Sequence, residues 1–144
     1  MGKKVKVVFD TNVWISIFIK KTLGEEFSEI FEREEIEVYI TEEILGEISK
    51  VLMYPKINEL LELSRVSERE ILQRVGEISV LVRPKLKLKV IEEDLEDNKI
   101  LDYALQAKAG FVVSSDKHLL RLKKFRNIKI LTPREFLDIF KNKL

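Results

Sequence analysis

Four acidic side chains occupy places that a folded chain would bring together. Asp10 ends the apolar run Val5-Lys6-Val7-Val8-Phe9, and Asp116 follows a second run, Phe111-Val112-Val113-Ser114-Ser115. Glu47 sits inside an apolar-striped helical segment, and Asp97 opens another. Short continuous apolar runs read as strands buried on both faces. Ligand sites of open α/β sheets lie at the carboxyl ends of such strands, where strand order reverses. Two carboxylates about 4 Å apart repel by roughly 4 kcal/mol at an effective dielectric of 20, so a cluster of four needs a cation. Oxygen ligands without thiolates or paired histidines favour a hard ion, Mg²⁺ or Mn²⁺. The chemistry open to such a site is metal-assisted hydrolysis.

Helix phase selects among neighbouring acids. The stripe Ile44, Leu45, Ile48, Val51 and Leu52 places Glu47 at its border, while Glu42 and Glu43 fall farther toward solvent. Asp97 lies one turn before Leu101 and two before Ala104, on the inward side, whereas Asp102 points away. Asp94 falls just outside this helix and either joins the site or solvates the loop. Asp10 and Asp116 also suit a second role, since aspartate at a strand end is a good N-cap for the next helix. His118 is the sole histidine, which excludes a two-histidine acid–base nuclease.

The positioning elements follow from periodicity. Strands are expected at Val5–Phe9, Ile36–Ile40, Val80–Val82, Phe111–Ser114 and Ile128–Leu131. Helices are expected over Val13–Ile19, Gly24–Arg33, Thr41 to about Met53, Ile57–Leu63, Ser67–Ile78 and Asn98–Ala109, with Gly110 as C-cap. A short helix follows through Leu119, Leu120 and Leu122. A C-terminal one starts at Thr132-Pro133-Arg134-Glu135, which combines an N-cap, Pro at N1 and a capping-box Glu. Ser67 and Glu70 supply another capping box, and Tyr54-Pro55 breaks the helix that starts at Thr41. Strands alternating with helical segments mean an α/β fold with a mainly parallel sheet.

A length of 144 residues suggests one domain, and 45% hydrophobic residues suffice for a core. Lys+Arg 26 against Asp+Glu 25 leaves a formal net charge of +1, so charge alone does not point to nucleic acid. There are no cysteines, which excludes disulfides, thiolate metal sites and a cysteine nucleophile. No apolar segment is long enough to span a bilayer, and the start lacks a signal-peptide pattern; the expectation is a cytoplasmic protein.

Taken with their order and spacing, several segments resemble a PIN domain, and closely the subgroup of toxin components of toxin–antitoxin pairs (VapC-like ribonucleases). They are Phe9-Asp10-Thr11-Asn12-Val13-Trp14, Thr41-Glu42-Glu43-Ile44-Leu45-Gly46-Glu47-Ile48 and Asp94-Leu95-Glu96-Asp97-Asn98-Lys99-Ile100-Leu101. Val113-Ser114-Ser115-Asp116-Lys117-His118-Leu119-Leu120 and Ile130-Leu131-Thr132-Pro133-Arg134-Glu135-Phe136 complete the set. The resemblance implies a five-stranded parallel sheet flanked by helices and Mg²⁺- or Mn²⁺-dependent RNA cleavage. It puts the metal-binding catalytic acids on Asp10, Glu47, Asp97 and Asp116, with Asn12 and Ser114 in support. Relatives often carry Pro-Asp where Leu95-Glu96 stands here, which bears on Asp94 more than on Asp97. The toxin subgroup further implies a cognate antitoxin and a homodimer.

Substrate reaching an acidic pocket requires a basic rim, for which Lys20, Lys21, Arg83, Lys85, Lys99 and Lys117 are candidates, Lys99 and Lys117 foremost. Trp14 either stacks on a base or packs, with packing or an interface favoured. The rival functions are a non-catalytic PIN-fold module that binds RNA or protein, and a phosphotransfer domain. A haloacid-dehalogenase-like site wants a second aspartate two residues after the nucleophile, where Asn12 stands.

Overall fold

The computed structural model describes residues 4–83 and 95–141; Asp94, the basic connector beyond Arg83 and the side chains of residues 95–98 lie outside the described residues. Five strands run parallel: β1 (Val5–Phe9), β2 (Ile36–Ile40), β3 (Ser79–Leu81), β4 (Phe111–Val113) and β6 (Ile128–Leu131). A two-residue strand, β5 (Lys124–Phe125), pairs antiparallel with β6. The sheet therefore has six strands in the order β3-β2-β1-β4-β6-β5, not the five expected. β5 escapes periodicity because two residues carry no alternation. It exists because Arg126, at φ 53°, turns the chain back onto Ile128.

Helices α1 (Thr11–Ile19) and α2 (Lys21–Phe31) join β1 to β2, and α3 (Glu42–Leu52), α4 (Pro55–Ser64) and α5 (Glu68–Ile78) join β2 to β3. α6 (Leu95–Gln106) precedes β4, α7 (Lys117–Leu122) follows it, and α8 (Pro133–Lys141) ends the fold. Capping sets several of these limits. Thr41 Oγ1 accepts the Ile44 N–H at 3.2 Å, Ser67 Oγ accepts the Glu70 N–H at 3.1 Å, and Thr132 with Glu135 forms a full reciprocal box. Pro55 both stops α3 and starts α4 at its first position.

α6 corrects the sequence reading at both ends. It begins at Leu95, so Asp97 lies inside the first turn rather than before it. It ends in a Schellman-type turn in which the left-handed residue is Lys108, at φ 57°, not Gly110. There the Ala109 N–H reaches the Ala104 carbonyl at 2.8 Å and the Lys108 N–H reaches Leu105 at 3.1 Å. The helix closes on whichever residue the following strand requires, and β4 pairing begins one residue after Gly110.

The central strands are buried as their composition predicts: Val7, Val8, Phe9, Val112 and Val113 are all buried. Phe9 meets Trp14, Phe27 and Phe136 with ring centroids 5.2, 5.5 and 5.9 Å apart, and Phe136 continues to Phe140 at 4.7 Å. Edge-to-face pairs of this kind add to plain burial. Trp14 is wholly buried and its Nε1 has no hydrogen-bond partner among the described residues, so it packs rather than stacks on a ligand.

α1 and α2 are pressed together at Gly24. A Cβ built there would stand 2.5 Å from the Ile17 carbonyl oxygen, whereas one on Gly46 or Gly76 meets nothing within 4 Å. Gly24→Ala is expected to lower stability by about 1–3 kcal/mol through forced separation of the two helices. Gly46→Ala and Gly76→Ala are expected to raise it by about 0.5–1 kcal/mol through helix propensity. Urea denaturation midpoints of the three variants check this; equal effects in all three would refute the close approach.

Candidate active site

β1 lies between β2 and β4, and the chain reverses its direction of travel across the sheet at that point. The carboxyl ends of β1 and β4 therefore flank the switch point where α/β sheets build sites. The register Phe9↔Val113 sets the residues after both strands side by side, and the Asp10 N–H donates to the Val113 carbonyl at 2.9 Å. Ser114, fully buried, donates its hydroxyl to Asp10 Oδ2 at 2.9 Å and accepts the Asp116 N–H at 3.0 Å. One hydroxyl thus ties the two strand-end acids together.

The N-cap and site roles of these acids coexist. Asp10 Oδ1 accepts the Thr11 N–H at 2.8 Å at the head of α1, and Asp116 Oδ1 accepts the His118 N–H at 2.8 Å at the head of α7. Each carboxylate oxygen has further lone pairs, so capping leaves acceptor capacity facing outward. His118 itself is exposed.

Glu47 is exposed on α3, but its Oε2 accepts the hydroxyl of Thr11 at 2.6 Å. Thr11 is 7% exposed, so this bond is shielded and directs Glu47 toward the end of β1. The family resemblance gives the supporting role to Asn12, the next residue in Asp10-Thr11-Asn12. Asn12 is exposed, and the hydroxyl that orients Glu47 belongs to its neighbour. The available signal was helix phase: Thr11 begins α1 and packs with Val13 and Trp14 among the buried residues.

Two elements carrying acids are also pinned to each other. On α6, the Lys99 ammonium lies 2.7 Å from Glu43 Oε1 and the Tyr103 hydroxyl donates to Glu43 Oε2, joining α6 to α3. Burial and Glu43 together push the Tyr103 hydroxyl above its ordinary pKa. Glu42 pairs instead with Arg83 at 3.4 Å. Lys117 is exposed beside Asp116, and Asp102 is half-buried rather than outward, with its Oδ1 lacking a partner among the described residues. Burial raises the Asp102 carboxyl above the usual range.

Burial likewise pushes the Asp10 carboxyl up, the hydrogen bonds from Ser114 and Thr11 oppose this, and the charges of Asp116 and Glu47 add to it. Asp10 therefore feels both other acids at once. Among the described residues no Lys or Arg pairs with Asp10, Glu47 or Asp116. Among the described residues no three His, Asp or Glu side chains are grouped so that they could hold a metal ion, and the Asp97 side chain lies outside them. The donors near Asp10 are all oxygen, the type that suits a hard divalent ion, and no basic residue among the described ones is paired with them.

These shifts generate a pH prediction for the metal-free protein. A carboxyl whose folded pKa is raised holds its proton better when folded, so its contribution to stability is full at low pH and is lost as pH rises through the folded value. In chelator near neutral pH, Asp10→Asn should melt at a higher temperature than the parent, and the gain should shrink as pH falls toward about 4. A variant less stable at neutral pH than at acidic pH, relative to the parent, would contradict the assigned electrostatics.

Two comparisons bear on this arrangement. The family model described as PIN domain matches residues 6–118, from β1 to the start of α7. An uncharacterized protein of Methanocaldococcus jannaschii is 34% identical over 148 aligned positions, covering 95% of this chain and 92% of the relative. PIN domains are generally nucleases, usually use divalent metals and typically bind RNA. The matched span contains both strand ends, Thr11, Glu47, Asp97 and Asp116, and on that match this chain belongs to the PIN domain family.

Proposed function

We propose that the chain is one PIN-like nuclease domain over residues 1–144, an Mg²⁺- or Mn²⁺-dependent endoribonuclease acting as the toxin of a toxin–antitoxin pair. The observation that carries this reading is the treatment of Asp10. It is desolvated, held by Ser114 and Thr11, and exposed to the charges of two further acids that no described basic residue neutralises. Folding maintains that unfavourable arrangement at a strand end, where ligands bind.

Asp10, Glu47, Asp97 and Asp116 would hold the ion, which when bound lowers the pKa of water and stabilises charge on a phosphate. Ser114 and Thr11 keep Asp10 and Glu47 oriented before substrate arrives, so the acids need not reorganise during the reaction. Asn12, exposed in the first turn of α1, would support the same strand end, as the family resemblance implies. Lys117, exposed next to Asp116, supplies a cation for the substrate backbone; Lys99 faces Glu43 and would serve at the α3–α6 side. The buried aromatic core beneath the strand ends prevents the acids from relaxing apart.

The toxin role implies a cognate antitoxin, a cytoplasmic location and a homodimer. Met53 and Leu63, 65% and 82% exposed around α4, support self-association because large apolar side chains at such exposure seek a partner. Among the described residues no helix is long and apolar enough to cross a membrane.

Three outcomes are expected. Cleavage of a defined RNA panel in Mn²⁺ should be abolished by EDTA and should fall at least about 100-fold in Asp10→Asn. Full activity in both conditions would leave the non-catalytic binding module as the better reading. Thr11→Val should raise the metal concentration needed for half-maximal cleavage by about tenfold, since it releases Glu47 without removing a ligand. Leu63→Glu should shift any dimer seen by light scattering toward monomer; an unchanged mass would remove α4 from the interface.

A further inference from the structure

A groove of about 450 Å³ opens beside the acids on the side of α1, α2 and α8. That volume is within the roughly 300–1,000 Å³ typical of small-ligand sites. Ser115 forms part of its wall and stands between Ser114, which holds Asp10, and Asp116. The groove thus meets the end of β4 at Ser115, while Asp10, Glu47 and Asp116 do not line it. Lys20 and Arg134 line it with positive charge and Glu26 with negative, Thr22 adds a hydroxyl, and Leu23 and Pro133 add apolar surface.

The charges are arranged with some precision. Arg134 is held by Glu26 through two bonds, Nη1 to Oε2 at 2.8 Å and Nη2 to Oε1 at 2.9 Å. Lys141 reaches the same carboxylate at 3.4 Å. The hydrogen bond from Arg134 is the main cause that holds the Glu26 carboxyl down at about 2. Arg134 also lies 3.9 Å from Asp138, so these two cations face two acids. The guanidinium has five N–H donors, so the pair with Glu26 fixes its plane and leaves others for a ligand. Lys20, exposed at the α1–α2 junction, pairs with no acid among the described residues.

We propose that this groove seats the nucleotide adjoining the scissile phosphate, with its phosphate on Lys20 and Arg134 and its sugar or base against Leu23 and Pro133. The inference rests on the ribonuclease reading and specifies where the substrate strand runs. A cationic rim with hydroxyls suits a phosphodiester backbone, and an apolar floor suits the face of a nucleotide more than a free inorganic anion.

The test uses steady-state kinetics on an RNA that the wild type cleaves in Mn²⁺. Lys20→Glu, and more mildly Lys20→Ala, should raise KM by about fivefold or more with kcat within about twofold. The slope of log kcat/KM against log salt should become shallower by about 0.7 in Lys20→Ala, the loss of one phosphate contact on a single strand. Lys56→Glu, on exposed α4, removes a positive charge at a remote place and should leave KM unchanged. Cleavage with an unaltered KM in both Lys20 variants overturns the groove assignment alone, as does an equal rise in Lys56→Glu. If wild type cleaves no RNA in the panel, the ribonuclease reading and the groove fall together. Loss of affinity for a protein partner with unchanged RNA kinetics would assign the groove to that partner instead.

Discussion

The pairing of β1 with β4 is the constraint on which the rest of the structure depends. Three backbone positions, Val7↔Phe111, Val8↔Val112 and Phe9↔Val113, set two chain segments about a hundred residues apart into one register. A slip of one residue would turn every side chain to the other face. It would also part Asp10 from Ser114 and send Phe9 away from Trp14 and Phe27. The packing of Phe9 against Trp14 and Phe27 and the strand-end hydrogen bonds therefore enforce the same alignment.

On that alignment the protein sustains an arrangement that folding alone would not favour. Asp10 is withdrawn from water and faces two other negative charges. The cost is borne by the surroundings. Ser114 and Thr11 each donate to Asp10, and the fully buried strands and aromatic cluster leave the backbone no room to separate. Local rules of stability are broken where a site is built and satisfied elsewhere. The capping duties of Asp10 and Asp116 belong to the same economy of structure, since each carboxylate serves a helix end with one oxygen and keeps capacity outward.

The helices differ in how firmly they are attached to this centre. α1 begins at the site itself and is locked to α2 at Gly24. α3 is joined to α1 by Thr11 and Glu47, and to α6 by Glu43 with Lys99 and Tyr103. These links connect elements that bring different acids, so the geometry of the site is shared among three helices instead of resting on one. α8 closes the far side through Phe136 and Phe140 and, by Glu26 and Arg134, shapes the groove beside it.

Much of this was legible in the chain. The strand runs, the caps at Thr41, Ser67 and Thr132, and the placing of Asp10 and Asp116 at strand ends follow from local patterns, because burial, propensity and capping act over a few residues. Helix phase prefers Glu47 to Glu42 and Glu43; in the structure all three are exposed, Glu47 bonded to Thr11, Glu42 paired with Arg83 and Glu43 with Lys99 and Tyr103. Periodicity did not reveal the two-residue β5 or the left-handed Lys108, since both are imposed by what the neighbouring segment must pair with. Nor did it find Thr11 as the partner of Glu47, Ser114 as a bridge between two acids, or Glu26 as the anchor of Arg134. Those bonds span 36, 104 and 108 residues. A side chain's own identity states what it can donate or accept; which partner receives it is decided only when tertiary packing brings distant segments to within a hydrogen bond.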